Sequence, residues 1–171
     1  MPRNSSIVST KQQRIALLAE QSPQMSFTSV AYLMDLDWLR EAYRRTRKDA
    51  AVGVDGQTAT DYEQDLEANL QSLLDRAKSG TYRAPPVKRV YIPKPGTPSQ
   101  TRPIGIPTLE DKVLQRAVTM LLEPNYEQDF YDCSYGFRPG RSAHQALEVI
   151  DQWLYRNKGG WVLDVDVSSF F

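Results

Sequence analysis

A chain of 171 residues with 40% hydrophobic and 25% charged side chains has the make-up of an ordinary soluble globular protein, neither disordered nor fibrous. Twenty-one Lys and Arg balance 21 Asp and Glu, and a single His144 and a single Cys133 leave no disulfide framework, no zinc site and no pattern for a Cys-His or Ser-His-Asp catalytic set. No apolar run approaches the ~20 residues of a membrane span, and the polar start Met1–Thr10 lacks the apolar stretch of a secretory signal, so a cytoplasmic protein without a membrane partner is expected.

Residues 10–21 read as a short polar helix and 21–29 as a Ser/Gln/Pro-rich linker. From Asp35, a residue type that caps helices, Leu36, Leu39 and Tyr43 recur at helical spacing, and Arg44, Arg45, Arg47 and Lys48 crowd the last turn, where cations favour the helix dipole. Gly53-Val-Asp-Gly56 breaks the chain. Thr60 is the expected cap of the next helix, whose stripe of Tyr62, Leu66, Leu70, Leu73, Leu74 and Ala77 ends at Gly80. Val87–Ile92 and Thr101–Ile106 are strand candidates joined by the turn Pro93–Gln100, hence a proline-braced β-hairpin with cations near its tip. Thr108 with Asp111 starts a helix that buries Leu109, Val113, Ala117, Met120 and Leu121, and Pro124 should end it. After the loop Tyr131–Arg141, Ser142 caps a helix, Gly159-Gly160 turns the chain, and Trp161–Val167 reads as a strand.

The zero net charge hides a segregation. Residues 78–116 hold Lys78, Arg83, Lys88, Arg89, Lys94, Arg102, Lys112 and Arg116 against Glu110 and Asp111, a net +6 that leaves −6 for the rest. Such segregation marks a surface for a polyanion. Three segments carry candidate chemistry. The rigid hairpin holds Lys94 and Arg102 outward, as phosphate recognition requires. Tyr135-Gly-Phe-Arg-Pro-Gly-Arg141 mixes aromatic faces, on which bases stack, with guanidinium groups, which pair with phosphates. In the last strand, Asp164 and Asp166 share one face and Leu163, Val165 and Val167 the other; paired carboxylates repel unless water or a divalent cation offsets them, so they read as half of a metal site. Each also has a plain reading: a surface hairpin, a loop packed on its own domain, a strand edge bearing two acids.

In order and spacing, Gly53-Val-Asp-Gly56, Gly80-Thr-Tyr-Arg83, Ile92-Pro-Lys94, Arg102-Pro-Ile-Gly-Ile-Pro107, Ser134-Tyr-Gly-Phe-Arg-Pro-Gly-Arg-Ser-Ala-His144 and Val165-Asp-Val-Ser-Ser-Phe-Phe171 resemble group II intron-encoded reverse transcriptases/maturases, continuously from about Asp37 to Phe171. The resemblance implies an α+β fold, an incomplete fingers/palm with helices packed on a small, mostly antiparallel sheet. It implies an N-terminal extension and linker over 1–34, a fingers-like region over 35–130 with the hairpin at 87–106, and a truncated start of the palm over 131–171. Asp166 would be the first catalytic aspartate and, with the Val167 carbonyl, a ligand of Mg2+. Lys94 and Arg102 would grip a deoxynucleoside triphosphate, and Phe171 would sit beneath its sugar and exclude a 2′-hydroxyl. From the basic segment and the aromatic loop themselves, Lys88, Arg89, Arg116, Tyr135, Phe137, Arg138 and Arg141 are expected to touch nucleic acid. Asp164 has no role that the resemblance assigns.

The partners so implied are intron and template RNA, a DNA primer and deoxynucleoside triphosphates. The family's second aspartate pair, in a Tyr-Ala-Asp-Asp-type hairpin, and its thumb have no counterpart in these 171 residues. The expectation is therefore an N-terminal portion of an RNA-directed DNA polymerase, inactive by itself, whose palm a separate chain could complete. A non-catalytic RNA-binding module and an inactive remnant are the alternatives.

Overall fold

A computed structural model describes residues 3–167 and shows an α+β protein in two compact units, Met1–Gln128 and Asp129–Phe171. The first holds α1 (Arg3–Gln21), a short 3-10 turn (Val30–Leu33), α2 (Leu36–Arg45), α3 (Ala59–Gln64), α4 (Leu66–Lys78), the antiparallel pair β1 (Lys88–Lys94) and β2 (Thr97–Ile106), and α5 (Leu109–Tyr126). The second holds α6 (Ala143–Arg156).

The core lies where α1, α2, α4 and α5 meet. Trp38, Leu39 and Ala42 of α2, Leu70 and Leu73 of α4, and Val113 and Ala117 of α5 are wholly enclosed, and full burial of a Leu- or Val-sized side chain stabilises by about 1.5–3 kcal/mol. Trp38 reaches the middle of this cluster without an orphaned polar atom, because its Nε1–H donates to the Ala117 carbonyl at 3.0 Å. Helix α1 is longer than residues 10–21 predicted, and its stripe of Val8, Ile15 and Ala19 is part of the buried set.

Local signals set most boundaries. The Asp35 carboxylate accepts from the Trp38 N–H at 3.0 Å at the start of α2, and the Ser142 hydroxyl and Gln145 side chain form a reciprocal cap on α6. The cap of α3 is Thr58, not Thr60: Thr58 and Asp61 each satisfy the other's backbone N–H, whereas Glu63, three residues after Thr60, accepts from the Tyr43 hydroxyl at 2.9 Å. The chain leaves helical geometry at Asp65, dividing the stripe between α3 and α4, and the Asn69 side chain donates to the Tyr62 carbonyl at 3.0 Å beside the break.

Pro124 does not end α5, which continues to Tyr126. A proline removes the N–H that would bond to the carbonyl four residues earlier, here Met120. Gln12 of α1 supplies the missing donor, its Nε2 lying 3.0 Å from the Met120 oxygen. The hairpin is tighter than expected. Lys94 pairs with Thr97, leaving Pro95-Gly96 as the connection, with Gly96 at φ +78°, a conformation glycine adopts without steric cost. In a two-stranded sheet both strands are edges, so the missing N–H groups of Pro93 and Pro103 need no ladder partner.

The predicted strand Trp161–Val167 does not form. Residues 161–167 are exposed and join no ladder among the described residues, because a strand exists only through a neighbour and β1 and β2 pair with each other. Asp164 and Asp166 therefore sit on irregular chain rather than on one sheet face.

Candidate nucleic-acid interface

On β1, Val90 and Ile92 are half-buried while Lys88, Arg89, Tyr91 and Lys94 are exposed. The register places Arg102 opposite Ile92 and Ile104 opposite Val90. Directly opposed residues of an antiparallel pair share a face, so Arg102 lies on the face that carries Lys88. The ladder is irregular between Pro93 and Lys94, yet the Lys94 ammonium lies 3.5 Å from Oε1 of Gln100, two residues before Arg102 on β2. Lys94 and Arg102 are thus both exposed near the turn of the hairpin, Arg102 on the face of the half-buried Val90 and Ile92, whereas Arg89 lies on the other face.

Both acids of the basic segment are occupied by the fold. Glu110 forms a two-pronged pair with Arg76 of α4, at 3.0 and 2.6 Å. Asp111 is buried and accepts from the Tyr82 hydroxyl at 3.0 Å and from Gln115 Nε2 at 2.8 Å. Neither carboxylate neutralises the hairpin cations. At the end of α2 the cations are engaged instead: Arg44 and Arg45 both hold Glu41, Arg40 bridges Asp37 and Glu67, and Lys48 caps the Tyr43 and Thr46 carbonyls. The hydrogen bond from Arg44, with that from Arg45, holds the buried Glu41 carboxyl down to about 2 against the opposing pull of burial.

The second unit presents the aromatic loop. Phe137 is fully exposed and sits at φ +56°, a left-handed conformation that costs a non-glycine residue about 1–2 kcal/mol. The ring is thus held away from any core contact. Arg138 donates to the Tyr131 and Ser134 carbonyls at 2.8 and 2.9 Å and lies over the Phe130 ring, so it braces the loop. Arg141 lies 5.3 Å from the Tyr135 ring centre and 3.7 Å from an Asp132 oxygen. On α6 no residue is buried, and Leu147 and Trp153 are exposed.

Asp166 is exposed, and its Oδ1 accepts from the Val167 N–H at 2.9 Å. Among the described residues no three His, Cys, Asp or Glu side chains gather. Phe171, expected beneath a sugar, lies outside the described residues. Arg116 is exposed on α5, apart in sequence from the hairpin, and lines a cleft together with Arg47 and Lys112. The latter two escaped the sequence reading as contacts, although Lys112 and Arg116 sit at helical spacing beside the Leu109–Val113–Ala117 stripe.

Two kinds of comparison bear on this arrangement. Residues 92–171 match the family model described as reverse transcriptase (RNA-dependent DNA polymerase). The chain is 39% identical over 172 residues to protein YkfC of Escherichia coli strain K12, covering 96% of this chain and 45% of that protein. It is 34% identical over 162 residues to the group II intron-encoded protein LtrA of Lactococcus lactis subsp. cremoris, covering 93% of this chain and 26% of that protein. Over 61 residues it is 43% identical to nuclear intron maturase 2, mitochondrial, of Arabidopsis thaliana, covering 34% of this chain and 8% of that protein. The chain spans less than half the length of these curated relatives. No described helix is long and apolar enough to cross a membrane.

Proposed function

Because this chain belongs to the group II intron-encoded reverse transcriptase and maturase family, we propose that it supplies the fingers and the opening of the palm of an RNA-directed DNA polymerase that binds intron and template RNA, a DNA primer and deoxynucleoside triphosphates. The observation that carries this reading is the hairpin: Lys94 and Arg102 are both exposed near its turn while Glu110 and Asp111 are held by Arg76 and Tyr82. Lys94 acts as a point charge and Arg102 as a planar fork toward a triphosphate. Proline bracing lowers the entropy lost on ordering them. Lys88, on the face of Arg102, and Arg89, on the opposite face, are exposed cations that would meet a nucleic-acid backbone. Exposed Phe137, with Tyr135 and Arg141 beside it, offers base stacking and phosphate pairing.

Reverse transcriptases work with Mg2+. The Asp166 carboxylate and the Val167 carbonyl are hard oxygen donors of the type this ion takes, and they would hold it, but a two-oxygen set is far short of an octahedral shell, and no third carboxylate joins them among the described residues. When bound, the ion would activate an attacking hydroxyl and neutralise leaving pyrophosphate. Asp166 is proposed as the first of the catalytic carboxylates, with Phe171 as the gate beneath the sugar; the other ligands would come from residues other than those described, or from a separate chain.

The reading is tested by photo-crosslinking a deoxynucleoside triphosphate to the 171-residue chain in the presence of an RNA–DNA primer duplex. Lys94→Ala with Arg102→Ala is expected to reduce labelling several-fold, whereas Asp166→Ala should leave RNA affinity unchanged. Undiminished labelling of the double variant would refute the fingers assignment. The chain alone should not extend the primer. Extension without a partner chain would show that the Asp166 carboxylate set is more complete than proposed.

A further inference from the structure

Helices α2 and α5 pack against each other, and beside their contact lies a cleft of about 300 Å³ lined by Thr46, Arg47, Ala50, Lys112, Gln115, Arg116 and Thr119. Among the described residues, no hairpin residue and no acid lines it. Lys112, Gln115, Arg116 and Thr119 recur at the three- and four-residue spacing that puts them on one face of α5, with Lys112 and Arg116 about 6 Å apart along the axis.

The charges there are available to a ligand. Arg116 is exposed and has no ion pair among the described residues. Lys112 donates one hydrogen bond, to the Ala51 carbonyl at 2.8 Å, and keeps two further protons. Arg47 pairs with Asp49, which borders the adjoining cleft, but both side chains are more than 70% exposed, and a pair so hydrated is readily exchanged for another anion. The hydroxyls of Thr46 and Thr119 donate to carbonyls of their own helices, and Gln115 donates to Asp111. Recognition at this place is therefore by charge. With no aromatic side chain in the lining, a base has nothing to stack on.

We propose that this α2–α5 cleft is a second seat for RNA, which grips the phosphodiester backbone without reading its sequence and shares no residue with the basic hairpin. The proposal rests on the reading that the chain binds RNA. Removing one cation that neutralises a phosphate of a single strand lowers the salt slope of log affinity by about 0.7, so removing two lowers it by about 1.4 and weakens binding about tenfold near 0.15 M salt.

The test is fluorescence anisotropy of the whole chain with a labelled single-stranded RNA of mixed sequence, titrated between about 50 and about 200 mM KCl, the range over which such phosphate pairings separate. Lys112→Gln with Arg116→Gln should lower the slope by that amount, equally for RNAs of different sequence, and its effect should add to that of Lys94→Ala with Arg102→Ala. Arg116→Gln alone should give about half the drop and, being exposed, should leave the thermal midpoint in place. An unchanged slope in the cleft variants, with a reduced one in the hairpin variant, would overturn the cleft and leave RNA binding standing. No RNA binding by the unaltered chain would overturn both. Displacement of RNA by inorganic phosphate beyond that by chloride at equal ionic strength, lost in Arg116→Gln, would make the cleft a small-anion site and overturn the backbone assignment.

Discussion

Gly53→Ala should destabilise the helical unit by about 1–3 kcal/mol, the usual cost of forcing a methyl group into filled space. A Cβ on Gly53 would stand 2.6 Å from the Thr108 Cα, 2.7 Å from its nitrogen and 2.9 Å from the Pro107 carbonyl oxygen. These are backbone atoms at the start of α5, so no side-chain rotation relieves the overlap. The loop after α2 must retreat, and Lys112, tied to Ala51 of that loop, loses its anchor. At about 2.1 cal/mol/K of unfolding entropy per residue, a unit of 128 residues converts 1–3 kcal/mol to a fall of roughly 4–11 °C in the midpoint. Far-UV circular dichroism, with emission from buried Trp38 followed in parallel, measures it. Gly56→Ala is the control: Gly56 sits at φ +70° with nothing within 4 Å of an added Cβ, so it should cost only the backbone penalty of about 1–2 kcal/mol and leave RNA affinity intact. An unchanged midpoint in Gly53→Ala would refute the close approach.

Glu41→Gln should cost about 1.5 kcal/mol, the worth of a hydrogen bond to a charged group discounted for the exposure of Arg44. Its pH dependence has a definite sign. The folded carboxyl titrates near 2 rather than its ordinary 4.5, so the stabilisation is complete above about pH 4.5 and is lost as pH falls toward 2. Acid unfolding curves of the variant should be flatter across that window; an identical slope would remove Glu41 from the account. Gln12→Ala should cost about 1–2 kcal/mol by orphaning the Met120 carbonyl, and much less in a Pro124→Ala background, where residue 124 regains its own N–H. Denaturant unfolding of the four-member cycle reads the coupling, and strict additivity would rule out the Gln12 rescue.

The helices and the hairpin were legible because their signals are local. Asp35, Thr108 and Ser142 each stand three residues before a backbone N–H they can accept from, and apolar spacing marks the faces that α2, α4 and α5 bury. Thr58 and Thr60 each have an acid three residues on, Asp61 and Glu63, so spacing does not choose between them; the Glu63 carboxylate accepts from the Tyr43 hydroxyl of α2, a contact that spacing does not reveal. Pro124 misled for a non-local reason: the donor that makes it tolerable comes from Gln12, more than a hundred residues away in the chain. Trp161–Val167 has the alternation of a strand but no partner strand among the described residues, and alternation alone forms no hydrogen bonds. Of the candidate site, the cations of the hairpin were visible by composition. Pairing of Glu110 with Arg76, and the meeting of Arg47 with Lys112 and Arg116, depend on how helices pack and leave no trace in spacing.

The burial of Val8 and Ile15 alters how the amino-terminal segment can be studied. Trimming the chain to Asp35 would uncover the side of α5 that α1 packs against and withdraw the amide that serves Met120, so any drop in RNA affinity of the shortened protein would report misfolding. Point changes on the outer surface of that helix, at Leu17 or Leu18, both more than a third exposed, would separate a genuine contact from a broken scaffold.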